Sequence, residues 1–524
     1  MADTTDIHEP DRHPVEASQA DVMAFLLATA ARGGAPATTV ETHGAVVVLA
    51  GPDVYKMKRA VRLPFMNLST LELRRVACER EVEINSTFAP SLYLGTVAVV
   101  RRPDGTLSLG GEGVPVEWLV HMRRFDETLT FDRVDDRGGL DPDLLRETAA
   151  VIAAAHARAP VRREADFVAH LRDVVEENST TLLGIGDLAD PDRLEWLAGE
   201  TRRALEAVAP LLRERASAGY VRRCHADLHL RNIALVGGRP TLFDALEFDE
   251  DLATIDVLYD LAFLVMDLLQ RGRAGEANWV FNRTLAEARE EAGLPGVAAM
   301  PLFIAVRATI RAKIEAVRLQ QTGEAGFRAT AERYLALAEA ALRPVPPRLL
   351  AIGGLSGSGK SSVAARLAAR LGPLPGAVHL RSDVERKGLL GAGEFERLPE
   401  TAYDLSVTEA VYGVLHRKAE TVLRAGLAVV IDAVHQQESE RQAVAAVAES
   451  LEARFDGIWL DAPAATLADR VAGRRGDASD ADRRVVAEQV ARDSGAICWH
   501  RIDAGRSLEV VVADCARVLG VEIA

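Results

Sequence analysis

The feature that most constrains this chain is the segment Gly354–Ser361, with the sequence GLSGSGKS. It fits the pattern G-x-x-x-x-G-K-S, in which glycines let successive backbone N–H groups point at phosphate oxygens, a lysine reaches the terminal phosphates and a hydroxyl coordinates Mg²⁺. The strand-like run RLLAIGG precedes it, and SVAARLAARL, apolar at helical spacing, follows it. Because the start of that helix faces the phosphates, the sequence predicts a nucleotide site here.

The predicted nucleotide-binding residues of this segment are Gly354, Ser356, Gly357, Ser358, Gly359, Lys360, Ser361 and Ser362. Lys360 is also predicted to act in catalysis, and Ser361 to bind the metal. Strand-like runs continue downstream as AVHLRS, LAVVIDA, RFDGIWLDA and LEVVVAD, alternating with helical segments. That alternation predicts a parallel sheet wrapped by helices.

Length and composition predict several domains in a soluble protein. The 524 residues are too many for one core, and 48% hydrophobic with 27% charged residues is ordinary for a globular protein. The net charge of −15 disfavours a nucleic-acid-coating role, although a local basic groove stays open. The four cysteines are not spaced in pairs, which predicts reduced thiols in a cytoplasmic protein. No secretory signal or membrane span is predicted.

The chain before the P-loop changes character once. A predicted disordered tail, 1–18, is followed by a β-rich lobe with one long helix, and helical periodicity dominates from about residue 141 to 342. The proline-rich RPVPPR then predicts a boundary. The predicted domains are therefore 19–342, a linker at 343–348, and 349–524.

A second constellation lies at HADLHLRN, His225–Asn232, followed by an aspartate at the end of an apolar strand. Phosphoryl transfer needs a carboxylate at the acceptor hydroxyl, together with an amide oxygen and a second carboxylate on Mg²⁺. Asp227 is the predicted base, and Asn232 and Asp244 are the predicted metal ligands. His225 is predicted to brace the loop.

These residues resemble the catalytic loop H-G-D-x-x-x-x-N of the aminoglycoside phosphotransferase and eukaryotic-like small-molecule kinase superfamily, with Ala226 in place of its glycine. IDVLYDLAF resembles the family's G-D-P-x-Y-D-L-A, with Asp256 and Asp260 as structural acids. The resemblance covers residues 20 to 340 and implies a bilobal protein-kinase-like domain of α+β type that binds ATP. Together with the P-loop domain that follows it, this domain gives a multidomain chain of the α/β and α+β classes.

The same resemblance implies a strand lysine that grips the α- and β-phosphates and pairs with a helix glutamate. DVYKMK supplies Lys56, with Lys58 on the same strand face, and EREVEIN supplies Glu81, with Glu79 as the alternative. The strand Glu117–Met122 would lie against the adenine. Taken singly, each of these charges is more often a solvated surface residue.

Polar residues also follow the later strands of the P-loop domain. Asp383 and Arg386 form D-x-x-R after one strand, where an acid accepts the acceptor's proton and an arginine holds the substrate. Asp432 ends the next strand as a predicted metal or substrate ligand. Arg470 and Arg474, with Arg475, suit a lid that closes on the triphosphate. The alternatives are a capping role for Asp383 and a solvated helix face for the arginines.

These parts resemble the P-loop kinases that include gluconate kinase, the zeta-toxin family and the 5′-hydroxyl polynucleotide kinase module. A hexameric AAA+ signature is absent from the sequence, which disfavours ring remodelling. The predicted function is a bifunctional, bacterial ATP- and Mg²⁺-dependent kinase that phosphorylates hydroxyl groups of a small molecule. Two alternatives stay open: an RNA or DNA 5′-hydroxyl kinase, and a regulatory or toxin–antitoxin-like protein that senses ATP in one inactive domain.

Overall fold

The structure is a computed structural model that describes residues 14–32, 37–41, 44–63, 66–186, 188–473 and 477–522. Residues 1–13 of the predicted tail lie outside these ranges. The first helix, Pro14–Arg32, begins within the rest of that tail, so the prediction of disorder for 14–18 is wrong. Proline is well suited to the first position of a helix, where its missing N–H costs nothing.

The secondary-structure elements are numbered along the chain. The strands are β1 (Ala37–Glu41), β2 (Ala45–Ala50), β3 (Asp53–Lys58), β4 (Arg62–Leu63), β5 (Met66–Asn67), β6 (Tyr93–Arg101), β7 (Leu107–Leu109), β8 (Val114–Arg123), β9 (Val221–Arg223), β10 (Ile233–Val236), β11 (Arg239–Leu242), β12 (Thr254–Asp256), β13 (Arg348–Gly353), β14 (Val378–Arg381), β15 (Val429–Asp432), β16 (Arg454–Asp461) and β17 (His500–Asp503).

The α-helices are α1 (Pro14–Arg32), α2 (Leu71–Asn85), α3 (Phe131–Asp136), α4 (Pro142–Arg158), α5 (Phe167–Gly184), α6 (Pro191–Ala218), α7 (Glu250–Ala253), α8 (Val257–Gln270), α9 (Ala274–Ala288), α10 (Met300–Thr322), α11 (Ala325–Leu342), α12 (Lys360–Ala368), α13 (Ser382–Leu389), α14 (Leu405–Arg424), α15 (Glu438–Glu449), α16 (Ala464–Ala472), α17 (Arg483–Ala491) and α18 (Leu508–Leu519). Short 3₁₀ turns cover Glu127–Leu129, Leu230–Asn232, Glu291–Ala299 and Glu400–Tyr403.

The chain forms two compact units. The first comprises residues 1–140 and 225–253, so the HADLHLRN segment and its aspartate hairpin belong with the N-terminal sheet. The second comprises residues 141–224 and 254–524, which include both the helical region and the P-loop sheet. The predicted boundary at 343–348 connects α11 to β13 inside the second unit.

The first unit is built on an antiparallel sheet with the strand order β1-β2-β3-β8-β6-β7. Both faces of this sheet pack against helices: Val54 lies in one hydrophobic cluster with Cys78 of α2, and Met57 lies in another with Val22 of α1. Cys78 of α2 is fully buried in the cluster that joins this helix to the sheet. The sheet and helix therefore fix β3 and α2, which carry the predicted lysine and glutamate.

The helical region of the second unit buries polar residues as matched pairs. Asp256 accepts two hydrogen bonds from Arg215, at 2.7 and 2.9 Å, and also caps α8 by accepting from the Leu258 N–H. Asp260 contacts His156 at 2.9 Å. Both aspartates are at most 1% exposed, so they occupy structural positions in this region.

One stretch of the described residues, Glu291–Thr322, is long and apolar enough to cross a membrane, which corrects the expectation that no such run exists. Its most apolar window has a mean hydropathy of 1.5, and 72% of that window is buried inside the protein. Helix α10 packs against α11 and α8, so this apolar surface lies in the core of the helical region.

The P-loop sheet is parallel, with the strand order β14-β15-β13-β16-β17. Leu350, Ile352 and Val430 are fully buried in its core, as expected for strands covered on both faces. The prediction of a strand at LEVVVAD is wrong, because these residues begin α18. Val511, Cys515 and Leu519 recur at helical spacing on its buried face, and the edge strand is β17 instead.

Candidate active sites

The first site is centred on a buried ion cluster between β3 and α2. Lys56 Nζ lies 2.8 Å from Glu81 and 2.9 Å from Asp244, and Lys58 Nζ lies 2.5 Å from the other oxygen of Glu81. The structure thus brings together the predicted pair Lys56 and Glu81. The alternative Glu79 instead contacts Arg75 on the exposed face of α2.

The cluster keeps all its members charged. Burial acts to raise the pKa of Glu81, but Lys56 and Lys58 outweigh it and lower the pKa overall. Burial likewise acts to lower the pKa of Lys56, but Asp244 and Glu81 raise it well above its usual value. A lysine held in this way is a permanent cation for binding phosphate oxygens.

Sequence reasoning missed Glu247, the second partner of Lys58 at 2.5 Å. Its backbone carbonyl also accepts a hydrogen bond from Arg80 of α2 at 2.9 Å. The only sequence signal was its place in the acidic run EFDED after Asp244. Glu247 pairs with Lys58, whereas Lys56 pairs with Glu81 and Asp244.

The predicted catalytic loop is held in shape by its own residues. Asn232 Nδ2 donates to the carboxylate of Asp227 at 2.8 Å and to its backbone carbonyl at 2.9 Å. The buried ring of His225 contacts the Phe243 carbonyl at 2.9 Å, which braces the loop as predicted. Ala226 has φ +69°, which explains why a glycine suits this position in related loops.

The β10–β11 hairpin brings the two predicted metal ligands to one end. Ile233 pairs with Leu242, so Asn232 and Asp244 flank the same end of the hairpin. Asn85 of α2 fixes this end by accepting from the Ala245 N–H at 2.7 Å.

These residues fit Mg²⁺, which prefers oxygen ligands and bridges phosphates in kinases. Asn232 uses its amide nitrogen on Asp227, so its amide oxygen is oriented separately as a ligand, and Asp244 offers a carboxylate. Lys56 lowers the pKa of Asp244, with burial opposing, so that carboxylate is ionised. A magnesium ion bound there would neutralise charge on the phosphates.

The second site has the shape of a phosphate cradle. Gly354, Gly357 and Gly359 have φ values of +139°, +86° and +89°. A Cβ on Gly354 would lie 2.5 Å from the Leu460 carbonyl oxygen, and one on Gly357 would lie 2.6 Å from that of Leu467. Only glycine fits this curl, which leaves backbone N–H groups at the start of α12 for an anion.

The remaining predicted residues of the loop lie along its turn into α12. Lys360 Nζ donates to the Leu355 carbonyl at 3.1 Å, and the Ser356 N–H donates to Gln489 at 2.8 Å. Ser356 and Ser358 are buried, Ser361 is half-buried and Ser362 is exposed. Gln489 of α17 was missed because no motif marks it.

Asp432 ends β15 beside two basic residues of β14. His379 Nε2 and Arg381 Nε each lie 3.7 Å from its carboxylate. Burial acts to raise the pKa of Asp432, but His379 and Arg381 outweigh it and lower the pKa below its usual range. An ionised acid at this position suits a metal or metal-bound water.

His435 lies just after this strand, and we expect its buried imidazole to make the protein less stable in acid. Its buried ring packs against Tyr412 and Trp499, and burial lowers its pKa to about 3. Below pH about 6.5 the unfolded state binds the proton that the folded state rejects, so stability falls by about 1.4 kcal/mol per pH unit down to the folded pKa. We expect urea unfolding to show a loss of about 1.4 kcal/mol in total between pH 7.5 and 5.5, because the slope rises through this range and approaches its full value only below it.

His435→Asn should reduce the slope, because the variant lacks the imidazole that takes up the proton. Asparagine is chosen because it tolerates the positive φ of 49° at this residue. His500→Asn is the matched control, because His500 is exposed on β17. An unchanged slope in His435→Asn would contradict the assignment.

Asp383 and Arg386 lie on α13, at different depths. Asp383 sits in the first turn with Arg381 as the N-cap residue, so it does not cap this helix. Arg386 is 7% exposed, stacks on the Tyr403 ring and donates to the Ala402 carbonyl at 2.7 Å. Asp383 is half-buried, whereas Arg386 contacts Ala402 and Tyr403.

The predicted lid arginines are only partly described. Arg470 donates to the Ala504 carbonyl at 2.9 Å, while Arg474 and Arg475 lie outside the described residues. Asp480, which sequence reasoning missed, accepts from Tyr403 at 2.8 Å and from Lys387 at 3.2 Å. These hydrogen bonds connect the segment after residue 476 to Tyr403 and to Lys387 of α13.

Comparisons with known proteins agree with this division. A family model described as an AAA domain matches residues 349–494. The uncharacterized proteins Rv2004c of Mycobacterium tuberculosis (strain H37Rv) and Mb2027c of Mycobacterium bovis are each 32% identical over 476 residues, 88% of this chain and 91% of theirs.

Solved structures also match parts of the chain. A choline/ethanolamine kinase family protein from Mesorhizobium loti is 17% identical and covers 62% of this chain and 95% of its own, with a TM-score of 0.38. A gluconokinase from Sinorhizobium meliloti 1021 is 20% identical and covers 34% and 98%, with a TM-score of 0.24. The APS kinase of Mycobacterium tuberculosis is 19% identical and covers 34% and 99%, with a TM-score of 0.23.

Proposed function

We propose that this chain, which belongs to the family of the mycobacterial protein Rv2004c, is a bifunctional ATP-dependent phosphotransferase. Each site transfers the γ-phosphate of ATP to a hydroxyl group of a small molecule, such as a sugar or a nucleoside. The observation that carries the proposal is that one chain holds two separate sets of phosphate-handling residues.

In the first site, Lys56 binds the phosphates and Asn232 and Asp244 hold Mg²⁺. Asp227 accepts the proton of the attacking hydroxyl. Its carboxylate is 41% exposed, which supports access for an acceptor, and Asn232 fixes its orientation. The step breaks the bond between the γ-phosphorus and the bridging oxygen, forms a phosphate ester and leaves ADP.

In the second site, the P-loop and Lys360 bind the phosphates, and Ser361 and Asp432 would bind Mg²⁺. Asp383 accepts the acceptor's proton. Its carboxylate makes no hydrogen bond to other described residues, and this leaves its oxygens available to a hydroxyl. The acidic chain and the buried position of Arg386 give no support to a nucleic-acid acceptor over a small one.

The test is transfer of labelled γ-phosphate from ATP to a panel of acceptors by the full chain and its Asp227→Asn and Asp383→Asn variants. The panel holds choline, ethanolamine, gluconate, adenosine 5′-phosphosulfate, nucleosides and a 5′-hydroxyl oligonucleotide. Loss of the base should lower transfer at its own site about 10²–10⁴-fold. Glu206→Gln, which removes a 60% exposed carboxylate, is the control and should leave transfer unchanged.

Three outcomes would revise the proposal. Transfer that survives Asp227→Asn in full would show that the first site is not catalytic. Transfer that survives Asp383→Asn in full would make the P-loop domain an ATP sensor or a bare ATPase. Labelling of the oligonucleotide alone would make the second site a 5′-hydroxyl kinase.

A further inference from the structure

Helix α9 of the helical region takes the place of a neighbouring strand at the edge of the P-loop sheet. Asn278 donates to the carbonyls of Pro375 and Ala377, at 3.1 and 3.0 Å. Asn282 donates to the Ala377 carbonyl at 3.1 Å and accepts from the His379 N–H at 2.7 Å. The backbone edge of β14 is thus satisfied by side chains from outside the P-loop domain.

Arg283, the residue after Asn282 on α9, contacts the segment that follows α13. Arg283, only 8% exposed, donates to both carboxylate oxygens of Glu394, at 2.9 and 2.5 Å. Glu394 lies in the segment that follows α13. Its backbone carbonyl also accepts from Lys387 at 2.7 Å, so its position sets that of a buried lysine.

Glu394 also connects α9 to the metal side of the site. Its carboxylate lies 3.8 Å from Arg381, the last residue of β14. Arg381 in turn lies 3.7 Å from Asp432 and donates to Asp477 at 3.0 Å. A run of alternating charges therefore leads from Arg283 to the acid that the proposed function places at Mg²⁺.

We propose that Arg283 is a positioning residue of the P-loop site, and that α9 is a working part of that site. Through Glu394 it holds Arg381 against Asp432 and keeps segment 390–403 in place for the acceptor. A bidentate arginine–carboxylate pair suits this task because its planar geometry fixes orientation as well as distance. This inference rests on the proposed function for its activity readout only.

The activity test uses the full chain in an Asp227→Asn background, so that MgATP turnover with water as the acceptor reports the P-loop site alone. Arg283→Ala should lower kcat about tenfold or more and change the KM for ATP less than twofold, because the hydrogen bonds of Arg283 go to Glu287 and Glu394 and not to the P-loop. Glu394→Ala should act alike, and Arg283→Ala with Glu394→Ala should be no worse than either change alone. Arg283→Lys, which keeps the charge, should recover part of kcat.

Hydrogen–deuterium exchange provides a readout that needs no turnover. In Arg283→Ala, amides of residues 378–403 should exchange faster, while those of 350–368 keep their rates. Arg202→Ala is the matched control, since it removes an arginine–glutamate pair between α5 and α6 with 46% and 47% exposed side chains. It should change neither turnover nor exchange.

Unchanged exchange at 378–403 in Arg283→Ala would overturn the proposal, as would a kcat within twofold of the parent. A uniform rise in exchange over the whole unit, without recovery by lysine, would reduce Arg283 to a structural role. If turnover is absent in the parent or survives Lys360→Met, the proposed function fails, and the exchange result still decides on Arg283.

Discussion

Glu81→Gln is expected to destabilise the first unit by about 3–5 kcal/mol, because it removes the buried carboxylate that both Lys56 and Lys58 contact. Lys56 and Lys58 lie 2.8 and 2.5 Å from the two oxygens of this fully buried carboxylate. A neutral amide cannot compensate two ammonium groups, and Asp244 and Glu247 each reach only one of them. Urea unfolding, followed by exchange of the α2 amides, measures the loss.

Glu79→Gln is the matched control on the same helix. Its carboxylate is 45% exposed and pairs only with Arg75, so its loss should cost about 0.2–1 kcal/mol. The control also separates the two sequence candidates. Equal effects from the two changes would contradict the role of Glu81.

The effect of Glu81→Gln should shrink in acid. Because the folded-state pKa of Glu81 is lowered, its contribution is complete above the unfolded pKa of about 4.3 and declines as the pH falls toward the folded value. The difference between parent and variant should therefore be constant from pH 8 to 6 and narrow below pH about 4. A gap that widens in acid would exclude this linkage.

The second large effect is expected from Lys360→Met, which should lower turnover at the P-loop site about 10²–10³-fold. Lys360 is the cation at the start of α12. Burial acts to raise the pKa of Asp432, and Lys360 lowers it together with His379 and Arg381. Its charge is needed where negative charge develops on the phosphates. The measurement is MgATP turnover in the Asp227→Asn background, with the urea midpoint as the check on folding.

Arg424→Met is the control for this change, since it also replaces a cation of the P-loop domain by methionine. Arg424 is 63% exposed and pairs with Glu420 one helical turn away. Turnover should stay within twofold. A comparable fall in both variants would mean that net charge, and not the position of Lys360, governs turnover.

Local motifs made much of both sites predictable. The hairpin after HADLHLRN brings Asn232 and Asp244 to the same end, as predicted, whereas the hydrogen bond from Asn232 to Asp227 was not predicted. The strand predicted at LEVVVAD shows the limit of such reasoning, because four successive apolar or small residues fit a strand and a buried helix face alike. The capping alternative for Asp383 was resolved only by the position where α13 begins.

The sequence by itself determined the phosphate loop Gly354–Ser361, since its function depends on glycines and a lysine at fixed spacing within one turn of backbone. Only the tertiary structure decided several ion pairs between residues that lie far apart in the chain. Glu247 meets Lys58 across 189 residues and Glu394 meets Arg283 across 111. Such pairs depend on how whole elements pack, and no local pattern records that.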